Sequence, residues 1–133
     1  MTGFVVFAHG SSIASANQAV RRVAEEFARA GGYALVEPAF LEQAQPDLAG
    51  AVAHLAARGA RRIVVIPYFL TLGLHLQRDL PRIVGALEGI HPGVEIFVTP
   101  PLDGHPGLLA VLLDRARAQA AAGAEAAESC KSN

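Results

Sequence analysis

Two histidines and a glutamate hold the residue types in this chain best suited to chemistry. Each lies just beyond a strongly apolar run. His9 follows Gly3-Phe4-Val5-Val6-Phe7-Ala8, Glu42 ends Phe40-Leu41-Glu42, and His75 comes a few residues after Ile63-Val64-Val65-Ile66-Pro67-Tyr68-Phe69-Leu70. If these runs are parallel strands, all three side chains emerge at the carboxyl edge of one sheet, where open α/β sheets bind ligands and metals. Two imidazoles and a carboxylate suit a borderline first-row divalent ion such as Co²⁺, Fe²⁺ or Ni²⁺. Taken singly, each residue has a plainer role: His9 could end a strand, and Glu42 could be solvated or capping.

The neighbours of these residues extend the pattern. His9-Gly10-Ser11-Ser12 occupies a first βα turn, where glycine lets backbone approach a ligand and Ser11 and Ser12 can donate to an anion at a helix N-terminus. Phe69-Leu70-Thr71-Leu72-Gly73-Leu74 before His75 is apolar where a loop is usually polar. It can form the floor under a flat hydrophobic ligand or a subunit interface, or it can fold back into the core. Arg78 and Arg82 are candidates for ligand carboxylates, with a solvated helix face as the alternative. Of the other histidines, His54 reads as a mid-helix core or interface residue and His91 as solvent-exposed at the opposite end of the sheet. His105 opens the last helix at the carboxyl edge of the fourth strand.

The elements that must position these residues alternate. A strand over Gly3–Ala8 is followed by a helix capped by Ser12 or Ser15, with Ala16, Val20, Val23, Ala24 and Phe27 at helical spacing. Asn17, Arg21, Arg22, Glu25 and Arg29 lie between them, and Gly31-Gly32 ends the helix. A second strand spans Tyr33–Phe40, and Pro46 in a first turn opens a helix burying Leu48, Ala51, Val52 and Leu55 before Gly59. The third strand, Arg62–Pro67, is the most β-branched. Asp79 reads as an N-cap with Pro81 in the first turn and Ile83, Val84 and Leu87 inward, closed by Gly89. Val94–Val98 makes a fourth strand, and Pro106 opens a helix with Leu108, Leu109, Leu112 and Leu113 as its apolar side.

The order βαβαβαβα implies an α/β fold: one three-layer domain with a four-stranded parallel sheet, right-handed crossovers and helices on both faces. The expected strand order is 2-1-3-4, which puts the switch point between the strands that carry His9 and His75. The domain is expected over residues 1–117. Residues 118–133, rich in Ala and Glu, read as a helix extension or a disordered tail.

Composition narrows the function classes. At 133 residues the chain is long enough for one domain that buries roughly two-thirds of its unfolded surface. The 52% hydrophobic and 17% charged content suits a folded, soluble chain. A formal net charge of −1 with scattered basic residues argues against nucleic-acid binding. No apolar run reaches the ~18 residues of a membrane span. The N-terminus passes directly into a strand without the pattern of a signal peptide, so the expected location is cytoplasmic. The one cysteine, Cys130, cannot form an intramolecular disulfide and reads as exposed, which leaves metal chemistry to His and carboxylates.

With these residues in hand, the chain resembles the small sirohydrochlorin cobaltochelatases, the short branch of the ATP-independent tetrapyrrole chelatases. The resemblance rests on Ala8-His9-Gly10-Ser11, on Phe40-Leu41-Glu42 with Pro46 behind it, and on Ile66-Pro67-Tyr68-Phe69-Leu70 through Gly73, His75, Asp79 and Pro81. It ends with Pro100-Pro101-Leu102 before His105-Pro106, so it runs in order over most of the chain from Phe4 to about Leu113. It implies a chelatase-like half-domain that inserts a divalent metal, Co²⁺ first, into sirohydrochlorin without nucleotide. The histidines matching His9 and His75 would bind metal and help remove protons, and the glutamate matching Glu42 would assist. Metallation expels two pyrrole protons, and imidazole titrates close to neutral pH, so the residue types fit. A glycine-rich Walker A sequence is absent, in agreement with a reaction that uses no ATP.

The resemblance also implies a homodimer in which two half-sites face one cleft. Substrate contacts are expected from Ser11, Ser12, Arg78, Leu72 and Gly73. Three other readings stay open: Fe²⁺ or Ni²⁺ insertion by the same fold, a metal- or tetrapyrrole-binding module without turnover, and phosphoryl transfer on His9. Histidine phosphatases place Arg before the histidine, where this chain has Ala8, which disfavours the last.

Overall fold

Strand β1 (Thr2–Ala8) runs between two parallel neighbours, β2 (Val36–Phe40) and β3 (Arg62–Pro67), and β4 (Glu95–Val98) pairs in parallel with β3. The sheet order is therefore β2-β1-β3-β4, the order expected from the habits of parallel α/β folds. The structure, a computed structural model, describes residues 1–131, with side chains described through residue 123. Cys130 and most of the 118–133 segment thus lie outside the described side chains. By its contacts the chain forms two compact units, Met1–Pro101 and one beginning at Leu102.

Within the first unit, sheet pleating sorts side chains between two layers. Val5, Phe7, Ile63, Val65 and Ile96 point to one face, where they pack with Leu48, Val52 and Leu55 of α2 (Leu48–Ala57) and with Leu80, Val84 and Leu87 of α3 (Leu74–Ile90). Phe7, Phe40, Leu55 and Ile63 are fully buried, each contributing roughly 1.5–3 kcal/mol of transfer free energy. On the other face Phe4 meets Phe27 of α1 (Ala14–Gly31) edge-on and stacks tilted against Tyr33. Gly32 ends α1 in the left-handed region (φ 68°), where its lack of Cβ costs nothing, and the Tyr33 N–H returns to the Ala28 carbonyl.

Several boundaries differ from the sequence expectation. Neither Ser12 nor Ser15 caps α1; Ile13 is the N-cap and makes no side-chain cap bond. β2 starts only at Val36, because Tyr33 is committed to the aromatic cluster with Phe4 and Phe27. Pro46 precedes α2 rather than opening it: Asp47 is the N-cap, accepting from the Gly50 N–H at 2.8 Å.

The largest change concerns α3, which begins at Leu74 with Gly73 as N-cap and holds Pro81 in its interior. Asp79 is therefore a helical residue and not a cap. Pro81 removes one helix hydrogen bond, a cost of about 3 kcal/mol. Leu76 and Leu80 on the core side offset it, since they enter the hydrophobic cluster only if the helix starts upstream of Pro81. α3 also continues past Gly89 to Ile90. In the second unit α4 (Pro106–Lys131) opens at Pro106 as expected, and the His105 Nδ1 accepts from the Gly107 N–H at 2.9 Å. Leu109, Val111, Leu112 and Leu113 on α4 are exposed.

Candidate functional site

Beyond the last residues of β1 and β2 the hydrogen-bond ladder continues into the loops. The Leu41 N–H donates to the Ala8 carbonyl at 2.9 Å and the Glu42 N–H to the His9 carbonyl at 3.1 Å. This extension carries both side chains past the sheet edge in register. The His9 Nδ1 and Glu42 Oε1 lie 3.7 Å apart, longer than a hydrogen bond and within ion-pair reach. Both side chains are more than half exposed, at 61% and 54%. The Phe69 ring stands edge-on to the imidazole, 6.1 Å away, and itself packs on Phe7.

Gly10 makes this approach possible. It has φ 89°, and a Cβ there would fall inside the Glu42 carbonyl oxygen. The α1 side holds the loops from the other direction. Asn17, buried at 7% exposure, accepts from the Ser11 N–H at 2.9 Å and donates from Nδ2 to the Ser11 carbonyl at 2.8 Å. Arg21 donates to the Gln45 carbonyl at 2.9 Å and lies over the Phe40 ring. The helical spacing puts Asn17 and Arg21 between the apolar positions of α1, and the sequence gives no signal of either contact. A polar residue three positions before an apolar one looks the same whether it faces water or a backbone turn.

Asn17→Ala is expected to lose about 1–3 kcal/mol of stability by chemical denaturation, because it leaves two backbone groups of the His9 turn unpartnered. Asn17→Asp keeps the acceptor and loses the donor, so it should fall between wild type and Asn17→Ala.

His75 reaches the same place from a different element. It sits in the first turn of α3, and with His9 it lines a cavity of about 320 Å³. Leu41, Phe69, Thr71, Gly73 and Leu74 form much of its wall, and Leu76, Asp79 and Ile83 of α3 complete it. A second recess of about 180 Å³ shares Leu41 and Ile83 and continues over Phe7, Phe40 and Leu48. The two distant histidines thus face one mostly apolar hollow at the carboxyl edge of the sheet, across the switch point between β1 and β3. Among the described residues no three His, Cys, Asp or Glu side chains converge closely enough to hold an ion on their own.

The remaining candidates are distributed as follows. Gly73 lines the histidine cavity and caps α3. Leu72 lies in a separate apolar hollow with Leu80, Pro81, Val84 and Val98. The Ser11 hydroxyl accepts from the Ile13 N–H at 3.0 Å, while Ser12 and Arg78 are exposed and outside the lining of the histidine cavity. His54 is not a core residue. It is 57% exposed and its Nδ1 lies 2.6 Å from Glu37 Oε1, because Glu37 on β2 faces α2 and needs a partner there.

Sequence and structure comparisons point in one direction. The CbiX family profile matches residues 3–119. The chain is 34% identical over 113 residues to a chloroplastic sirohydrochlorin ferrochelatase of Arabidopsis thaliana, covering 85% of this chain and half of the plant protein. It is 28% identical to a sirohydrochlorin cobaltochelatase of Methanococcus aeolicus, covering 88% of this chain and 99% of the archaeal one. A cobalamin biosynthesis CbiX protein from Marinobacter aquaeolei superposes with a TM-score of 0.78 at 28% identity, over 90% of this chain and 97% of that one.

Proposed function

From the premise that this chain belongs to the CbiX family, we propose that it inserts a divalent metal into sirohydrochlorin, with His9 and His75 as the metal-handling residues. The observation that carries the reading is that both imidazoles line one apolar cavity, with Glu42 set against the outer side of His9. Metal and macrocycle are both substrates here: the ion enters, two pyrrole N–H bonds break, and two protons leave.

An apolar hollow suits a flat macrocycle, whose faces are apolar and whose carboxylates lie at the rim. A neutral His9 that keeps its proton on Nδ1, the nitrogen nearer Glu42, presents Nε2 as a lone pair able to hold the ion or to take a pyrrole proton. His75 offers the second lone pair from across the cavity. Glu42, within ion-pair reach of Nδ1, presents a negative charge to any proton that arrives on the ring. Glu42→Gln is therefore expected to lower kcat/KM for metallation by about 10- to 100-fold, read from the change in absorbance of the macrocycle.

Co²⁺ is the proposed physiological ion. The named cobaltochelatase of Methanococcus aeolicus is matched along nearly its whole length, whereas the plant ferrochelatase is matched over half of it. Ligand types do not choose among Co²⁺, Fe²⁺ and Ni²⁺, since affinity follows the Irving–Williams order. The direct test is metallation of sirohydrochlorin by the purified protein with each ion in turn. Co²⁺ insertion above the spontaneous rate, without nucleotide, is expected. Saturable binding with no acceleration by any of the three ions would make the chain a binding module instead.

The reading includes a pair of copies. A cavity of about 320 Å³ is at the small end of ligand clefts, roughly 300–1,000 Å³, and leaves much of a tetrapyrrole uncovered. The exposed Leu109, Val111, Leu112 and Leu113 of α4 are apolar area that a second copy can cover. Sedimentation at micromolar concentration is expected to give twice the monomer mass. No described helix is long and apolar enough to cross a membrane, and the proposed location is cytoplasmic.

A further inference from the structure

The histidine cavity has one anionic side chain in its wall that the chelation chemistry does not use, Asp79. It sits one turn after His75, and Arg82 follows three residues later, so the three share a stripe of α3. Arg82 lies outside the cavity lining, and its Nη2 donates to Oδ1 of the wall residue Asp79. Arg82 is 75% exposed and Asp79 41%, so the pair is open to water and not in the core.

An aspartate in the wall of a cavity built for a many-carboxylate ligand would repel that ligand if it stood alone. Paired with Arg82 it does not. An i,i+3 pair this exposed contributes little to stability, so exchanging one carboxylate for another on the guanidinium is nearly isoenergetic. A planar guanidinium also matches a carboxylate through two parallel N–H donors, which a single aspartate oxygen leaves incompletely used.

We propose that Arg82 binds a peripheral carboxylate of the tetrapyrrole at the rim of the histidine cavity, and that Asp79 holds this site until the substrate carboxylate replaces it. The inference rests on the chelatase reading and deepens it by naming the cation that the substrate meets. In the bound state the macrocycle lies over the apolar wall. One of its acid side chains takes the place of Asp79 on Arg82, and the freed Asp79 turns to water. No bond is made or broken in the exchange. Arg82 acts on binding and not on proton removal, so its loss raises KM and spares kcat.

The test compares wild type, Arg82→Ala, Asp79→Asn and the double variant in Co²⁺ metallation of sirohydrochlorin. Binding of metal-free porphyrins with eight or four carboxylates is followed by fluorescence quenching in parallel. Arg82→Ala is expected to raise KM by about tenfold with kcat within about twofold, the loss of one charge-assisted contact. It should weaken the eight-carboxylate porphyrin more than the four-carboxylate one. Asp79→Asn should lower KM by about threefold, and the double variant should match Arg82→Ala, because Asp79 acts only through Arg82.

An unchanged KM in Arg82→Ala, or effects of the two substitutions that simply add, overturns this inference and leaves chelation standing. Wild type that binds both porphyrins without metallating sirohydrochlorin overturns the chelatase reading, while the binding series still decides the role of Arg82. Failure of wild type to bind any of the three macrocycles overturns both.

Discussion

His75→Ala and His9→Ala are each expected to lower kcat/KM for metallation by at least about 100-fold, the scale of losing a positioned proton acceptor. Neither should unfold the protein. His9 is 61% exposed with no ring hydrogen bond among the described residues, and His75 is an exposed residue of the first turn of α3. Surface substitutions of this kind usually fall within about 0.5 kcal/mol, so far-UV circular dichroism and the denaturation midpoint should match wild type. The two losses should not add in the double variant if both rings serve one ion, since residues acting as a unit are strongly non-additive. Wild-type rates in both single variants would remove the chemical reading of the site.

Gly10→Ala is expected to damage the site without touching a reacting group. The added methyl meets the Glu42 carbonyl oxygen, and the residue must keep φ 89° if the turn is to survive. Backbone strain of that kind costs on the order of 1–3 kcal/mol. The collision then has to be relieved by moving the Glu42 loop away from His9. Because the Glu42 N–H bond to the His9 carbonyl holds the two side chains together, such a shift separates them. Metallation should therefore fall by about 100-fold, the scale of an ångström-level misplacement. The fall should exceed that of Glu42→Gln, with a lowered melting midpoint. An alanine variant as active and stable as wild type would mean that the loops are not clipped in this way.

These two predictions draw on different parts of the chain of inference. The histidines stand out in the sequence because strands β1 and β3 are almost uninterrupted apolar runs, and a polar residue just past such a run is conspicuous. The glycine requirement is invisible there: His9-Gly10-Ser11 reads the same whether the next loop is near or far. Asn17 is hidden for a similar reason. Its residue type predicts a solvated helix face, and only the fold brings it against the Ser11 backbone.

Hydrophobic periodicity by itself determined the alternation of strands and helices; the habits of parallel α/β folds added the sheet order and the switch point between the strands that carry His9 and His75. A buried parallel strand can be built from few residue types, so its sequence is constrained along its whole length. The tertiary structure alone decided where α3 begins, and with it that Asp79 is a wall residue beside His75 and not a cap. It also decided that His54 answers Glu37, that Asn17 is buried, and that Gly10 and Glu42 share one backbone crossing. Each of these depends on what a distant segment places beside the residue. A local pattern carries no record of that neighbour, whereas burial and hydrogen-bond pairing in the folded chain are set by it.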